Sequence, residues 1–165
     1  MEPDDTIDAV RRKDIITLAD VECLRTLTRT HPRDPYLWDV LGDIIQLADN
    51  QFAERYDSLD CYLNAIDADP EYGPAHNSLG YWHDIAENYT LARLHFETAI
   101  RLGAGDTARI GLAKILAQLR LDDDAYAILD TCDDPMSDRV AATRVDIANE
   151  LLGPYIDELQ VDDGG

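Results

Sequence analysis

Lysine is nearly missing from this chain, which has only Lys13 and Lys114. Even with arginine included, the 14 basic residues face 34 acids, for a formal net charge of −20. A field of that sign repels nucleic acid phosphates and anionic lipid headgroups, so DNA, RNA and membrane surfaces are poor partners. Cysteine is scarce as well. Cys23, Cys61 and Cys132 lie far apart and form no C-x-x-C pair. An odd count without short spacings argues against a disulfide framework and suggests a reducing compartment. No apolar run approaches the roughly 18 residues that a bilayer-spanning helix needs. The first residues, Met1-Glu2-Pro3-Asp4-Asp5, are acidic and contain no apolar run, so no signal peptide is expected and the cytosol is the expected address.

Motifs of catalysis are missing too. There is no P-loop, no G-x-S-x-G and no H-E-x-x-H. Gly103-Ala104-Gly105 lacks the third glycine and the preceding strand of a dinucleotide fingerprint. No cysteine has a persuasive histidine partner. Neither an enzymatic activity nor a cofactor is expected.

What the chain does contain is helical periodicity. Its 165 residues, 45% of them apolar, suffice for one domain with a core that needs no staple of disulfide or metal. After a frayed lead over residues 1–5, Ile7, Val10, Ile15, Leu18, Val21, Leu24 and Leu27 recur at steps of three and four, the spacing of an amphipathic helix. A helix over Asp20–Arg29 is predicted to stop at His31-Pro32. Asp34-Pro35 is a strong start signal, because the carboxylate caps a free amide and proline at the first position lacks one. Further starts are read at Pro74, after Gly103–Asp106 and at Asp134-Pro135. Turns are read near Glu87-Asn88 and over Leu121–Asp124, where three acids favour a helix N-terminus. Val140, Ala141, Val145, Ala148 and Leu152 then recur at helical steps until Gly153-Pro154. A short helical turn is expected around Tyr155–Leu159, and residues 161–165 read as a loose tail.

Spacing between these segments repeats. Trp38 to His76, Gly42 to Gly80 and Pro32 to Pro70 are each 38 residues apart. Leu79-Gly80, Ala92, Phe96 and Ala99 recur 33 residues later as Leu112-Ala113, Ala125, Leu129 and Cys132. Trp38, Leu41 and Gly42 form W-x2-L-G, with Ile45 in the following aromatic place, and Tyr62, Ala65 and Pro70 close the unit. This pattern resembles the tetratricopeptide (TPR) repeat, a helix–turn–helix of about 34 residues with the signature W-x2-L-G-x2-Y…A-x3-F…P. The first unit is four residues longer than that period; the extra residues are assigned to 47–57, as a longer helix end or turn around Asp49–Tyr56.

The resemblance implies an all-α fold, a right-handed superhelix of antiparallel helix pairs. A degenerate hairpin (1–33) leads three repeats (34–70, 71–103 and 104–135), and covering helices (136–160) follow. In such pairs short residues such as Gly80 and Ala92 let two helices approach, with Phe96 and Leu79 filling the space between them.

Against this frame the candidate metal groups weaken. His76 and His83 take the two aromatic places of the signature, so their pairing with Glu87 reads as packing. Asp67–Glu71 opens like a calcium loop but lacks its glycine and closing glutamate. Asp122–Asp124 and Asp133-Asp134 read as capping residues. No metal is expected.

A surface remains. In TPR proteins the first helix of each pair lines a concave face that receives a peptide or helix. Helical phase puts Tyr36, Asp39, Asp43 and Gln46 there from the first unit and Asn77, Tyr81 and Asp84 from the second. From the third come Ile110, Lys114, Ala117 and Gln118. Some family members clamp an acidic carboxyl tail with basic and amide groups. Here Asp39 and Asp43 stand in those places, so an acidic tail is an unlikely ligand and a basic or amphipathic protein segment suits the face better. The function expected is a non-catalytic adaptor or scaffold. The alternative is a self-associating module, a homodimer or a chain whose groove is filled by its own C-terminal helix, with the acids serving only solubility.

Overall fold

In a computed structural model the described residues are 3–48 and 57–153. Among them the fold is all α: nine helices and no strand. They are α1 Pro3–Arg11, α2 Leu18–Thr30, α3 Pro35–Leu47, α4 Ser58–Ala68, α5 Gly73–Ile85, α6 Tyr89–Arg101, α7 Asp106–Gln118, α8 Asp122–Asp130 and α9 Asp138–Ala148. The expected features over Asp49–Tyr56, Tyr155–Leu159 and the tail lie outside the described residues. α3 ends at Leu47 and has the same 13 residues as α5 and α7, so the four extra residues do not lengthen it.

Contacts run mainly between helices adjacent along the chain, and they separate two compact units, Met1–Leu79 and Gly80–Gly165, where length alone suggested one domain. In the first unit α1 packs on α2, α2 on α3 and α3 on α4 around Ile7, Val21, Leu24, Leu37, Val40, Leu41 and Ile44. In the second, α7 packs against α6, α8 and α9 around Phe96, Leu112, Ile115, Leu129 and Val140.

Local chemistry sets the boundaries. The Asp34 carboxylate accepts from Tyr36 N at 3.1 Å, with Pro35 leading the helix. Asp57 accepts from Leu59 N at 2.9 Å and Asn88 from Leu91 N at 3.4 Å, each taking a donor that the helix leaves unpaired. Asp122, Asp123 and Asp124 occupy the first turn of α8. Three corrections to the sequence reading follow, two at helix ends and one on a buried face. α1 already begins at Pro3, inside the expected frayed lead. Asp134-Pro135 forms a turn, in which the Asp134 carboxylate accepts from Met136 N, and α9 starts only at Asp138. α9 buries Val140, Thr143 and Ile147 while Ala141 and Val145 are exposed, so its inner face is rotated from the apolar series.

The same turn ends α5, α7 and α9. Glu87, Arg120 and Glu150 take φ of 57°, 59° and 53°, and the next amide reaches back five residues: Asn88 to His83, Leu121 to Leu116 and Leu151 to Asp146. This is a Schellman-type stop made with a residue that has a Cβ, where glycine is normally preferred. Exposed Glu87 bears the steric cost of the left-handed conformation.

Burial repeats between the helix pairs α3/α4, α5/α6 and α7/α8. Ser58, Tyr62 and Ala65 are buried in α4, Ala92, Phe96 and Ala99 in α6, and Ala125, Leu129 and Cys132 at α8. In the first helices Leu41, Leu79 and Leu112 are buried, each followed by Gly42, Gly80 or Ala113. Tyr62 lies against Gly42, 20 positions before it, and Phe96 against Gly80, 16 before it; the difference is the four-residue insertion. Trp38 Nε1 donates to Pro32 O at 3.0 Å, and His76 Nε2 lies 3.4 Å from Pro70 O, the same bond 38 residues on.

Phe96 has a second small neighbour. A Cβ added at Gly80 would sit 2.6 Å from its ring, and one added at Gly111 of α7 only 2.4 Å. The ring is held between two glycines, with Tyr81 edge-on at a centroid distance of 4.9 Å. Gly111→Ala is therefore expected to destabilise the fold by about 1–3 kcal/mol in chemical denaturation, although alanine is the better helix former by about 1 kcal/mol. In a Phe96→Leu background the loss should largely vanish. Glu87→Gly should raise stability by about 1 kcal/mol, since glycine adopts positive φ freely.

Candidate functional site

In the first unit the predicted residues of α3 do come together, but they are more deeply placed than a surface row. Asp39 is only 7% exposed, while Asp43, Tyr36 and Gln46 are half-buried. The Tyr62 hydroxyl of α4 lies 2.8 Å from Gln46 Oε1 and 3.2 Å from Asp43 Oδ1, so one proton serves two acceptors. Ser78 of α5 hydrogen-bonds to Asp39 and also bonds to Asp43. From α1, Arg11 lies over the Tyr36 ring at 5.9 Å with Nη1 3.4 Å from its hydroxyl, and its charge acts on both acids.

Burial dominates the electrostatics. Loss of water, and then the neighbouring Asp43, push the Asp39 carboxyl up to about 7 against the attraction of Ser78 and Arg11. Asp43 is raised by the same loss of water, partly offset by the Tyr62 hydroxyl. Among the predicted residues of this unit two oxygens have no hydrogen-bond partner, Asp39 Oδ1 and Asn77 Oδ1. Both are acceptors. A buried acceptor without a donor costs about 1–3 kcal/mol, so the arrangement is held against a local penalty.

In the second unit the expected row fares differently. Tyr81 does not offer its polar tip to solvent: its hydroxyl donates to Thr107 O at 3.0 Å and its edge packs on Phe96. Ile110, Ala117 and Gln118 are buried, because α7 is enclosed by α6, α8 and α9 and is apolar nearly all round. Asp84 remains half-buried, raised by loss of water and restrained by Gln118 and Lys114. Gln118 Oε1 is also unpartnered.

The histidines pack. His83 stacks on His95 with ring centroids 5.3 Å apart and 7° between planes, and Trp82 meets it edge-on. Burial lowers the His83 value. Among the described residues, no three of His, Cys, Asp and Glu are grouped to hold a metal ion. Cys23, Cys61 and Cys132 are free thiols, and burial pushes Cys61 up to about 12. No described helix is long and apolar enough to cross a membrane.

Sequence reasoning missed Ser78, Tyr62 and Arg11 as members of the Asp39 group. Ser78 is one position away from Asn77, and no pattern within one helix could bring Tyr62 or Arg11 to it. Compared with models of protein families and with curated proteins, the chain matches none.

The raised Asp39 value has a consequence for stability. Between the ordinary carboxylate value of 3.8 and about 7, the folded state keeps a proton that the unfolded chain has lost. Stability from this group is therefore complete below the lower value and lost as pH rises through the higher one. Asp39→Asn should remove that loss: its stability relative to wild type should climb across this window, by on the order of 4 kcal/mol at the limit. Urea denaturation at about pH 5 and about pH 8 measures it.

Proposed function

We propose that this chain is a non-catalytic interaction module, a TPR-like superhelix of helix pairs that acts as adaptor or scaffold in the cytosol. Its partner is a protein segment of basic or amphipathic character, received on the face to which α3 and α5 contribute Asp39, Asp43 and Asn77. Periodic burial of short residues against Tyr62, Phe96 and Leu129 supports the repeat reading. The observation that carries the functional reading is the buried Asp39 carboxylate, beside Asp43 and with one oxygen unpartnered. A protein keeps such a group against its own stability where the group has work outside the fold. Free cysteines accord with a reducing compartment.

A second reading, that the chain fills its own groove or self-associates, is favoured by one feature. The α7 residues Ile110, Ala117 and Gln118 are already buried in a unit where α9 packs on α7. Under this reading only the first unit's acids remain open to others, or a second copy covers exposed leucines such as Leu91 and Leu94 of α6.

Fluorescence anisotropy with a labelled amphipathic arginine peptide and a glutamate peptide of equal length, at about 0.15 M salt, tests the first reading. Saturable binding of the arginine peptide alone is expected, with light scattering reporting a monomer at high concentration. A stable dimer that ignores both peptides would establish the second reading.

A further inference from the structure

The Asp39 group has too many acceptors for its donors. With both acids ionised, two carboxylates and the Gln46 amide oxygen draw on two hydroxyl protons, those of Ser78 and Tyr62. An ammonium carries three donors and no acceptor, and a guanidinium five and none. A neutral amide or hydroxyl would bring one more acceptor for each donor supplied, and an anion would bring only acceptors. The group thus selects a cationic side chain.

Every element packed around it agrees. Apart from the two acids themselves, α3 contributes Tyr36, α4 the Tyr62 phenol and α5 the Ser78 hydroxyl, while Tyr72 precedes α5. The Tyr72 phenol is raised by burial and then by Asp39, so it stays neutral beside the acids. The cation acting on the pair is Arg11 of α1, and it lies over Tyr36. Asp43 is half-exposed, so an arriving side chain meets it before the buried Asp39.

Resting on the proposed basic-segment reading, we infer that Asp39 and Asp43 share one proton in the free chain and exchange it for a lysine or arginine side chain of the partner. The balance is simple. One carboxylic acid and one carboxylate, plus one alkylammonium or guanidinium, become two carboxylates paired with that cation, and one proton leaves to water. Affinity is therefore coupled to pH, and binding tightens as pH rises through neutrality. The coupling follows from place: two carboxyl groups one helical turn apart, one of them buried, resist ionising together unless a cation joins them.

The test uses the full chain with labelled hexa-arginine, and hexa-citrulline as its uncharged counterpart. Asp39→Asn keeps the side-chain shape, and Asp67→Asn removes the same charge from exposed α4 surface. Wild type is expected to bind hexa-arginine about tenfold tighter at about pH 8 than at about pH 6, and to ignore hexa-citrulline. Calorimetry in buffers of different ionisation enthalpy should show close to one proton released at about pH 6 and roughly half a proton at about pH 7. Asp39→Asn should weaken binding about tenfold at the higher pH and abolish both the pH dependence and the proton release. Asp67→Asn should shift affinity less than about twofold. If the two variants lose affinity equally, or the proton release survives in Asp39→Asn, net charge alone attracts the peptide. The site is then overturned while the basic-partner reading stands. If wild type binds no hexa-arginine at either pH, both the site and that reading fall.

Discussion

Close approach of a ring to a helix backbone is the constraint on which each unit depends. In the second unit Phe96 of α6 reaches Gly80 of α5 on one side and Gly111 of α7 on the other, at separations that leave no room for a methyl group. In the first, Tyr62 of α4 stands against Gly42 of α3 in the same way. Three helices are locked around one aromatic side chain because glycine removes the atoms that would hold them apart. The caps at Asp34, Asp57 and Asn88 and the left-handed stops at Glu87, Arg120 and Glu150 then fix where each helix ends. Lengths and spacings follow from those ends, and the contacts follow from the spacings.

Tyr62 links this packing to the polar group beside it. Its ring fills the space over Gly42 while its hydroxyl supplies Gln46 and Asp43. The packing that orders α3 against α4 also draws Asp43 and, one turn earlier, Asp39 out of water. Burial raises both carboxyls, and the chain provides too few donors to satisfy them. A core designed for stability alone would put a leucine at Asp39. The acid there is the local inconsistency in an otherwise consistent sequence, and such inconsistencies mark sites more often than regular positions do.

Much of the helix pattern was legible in the residues. Asp34-Pro35 announced α3, the three acids at 122–124 announced α8, the repeat signature placed Tyr62 and Ala65 of α4, and the interval of 33 residues carried the buried positions of α6 to α8. Where the reading slipped, the reason is physical. Asp134-Pro135 has the same start signal as Asp34-Pro35, yet its carboxylate closes a turn, and the helix waits for Ser137-Asp138. A cap signal says that amides need an acceptor; it does not say that a helix must follow. Gly111 was overlooked because its glycine lies one place before Leu112, outside the signature, and its partner is in another helix pair. Ile110, Ala117 and Gln118 were placed on an open face because helical phase reports direction within one helix and nothing about what covers it.

By itself the sequence determined the helical class, the pairing interval, the strong acidity and the identity of the small residues. These depend on neighbours within a few turns and on charge counts, which are local or additive. Only the tertiary structure decided which faces were closed, that Tyr81 is bonded to Thr107 inside its unit, and that Asp39 is dry and one donor short. Burial and hydrogen-bond satisfaction are set by residues far apart in sequence, here Arg11, Tyr62 and Ser78 around Asp39. No periodicity along a single helix contains that information.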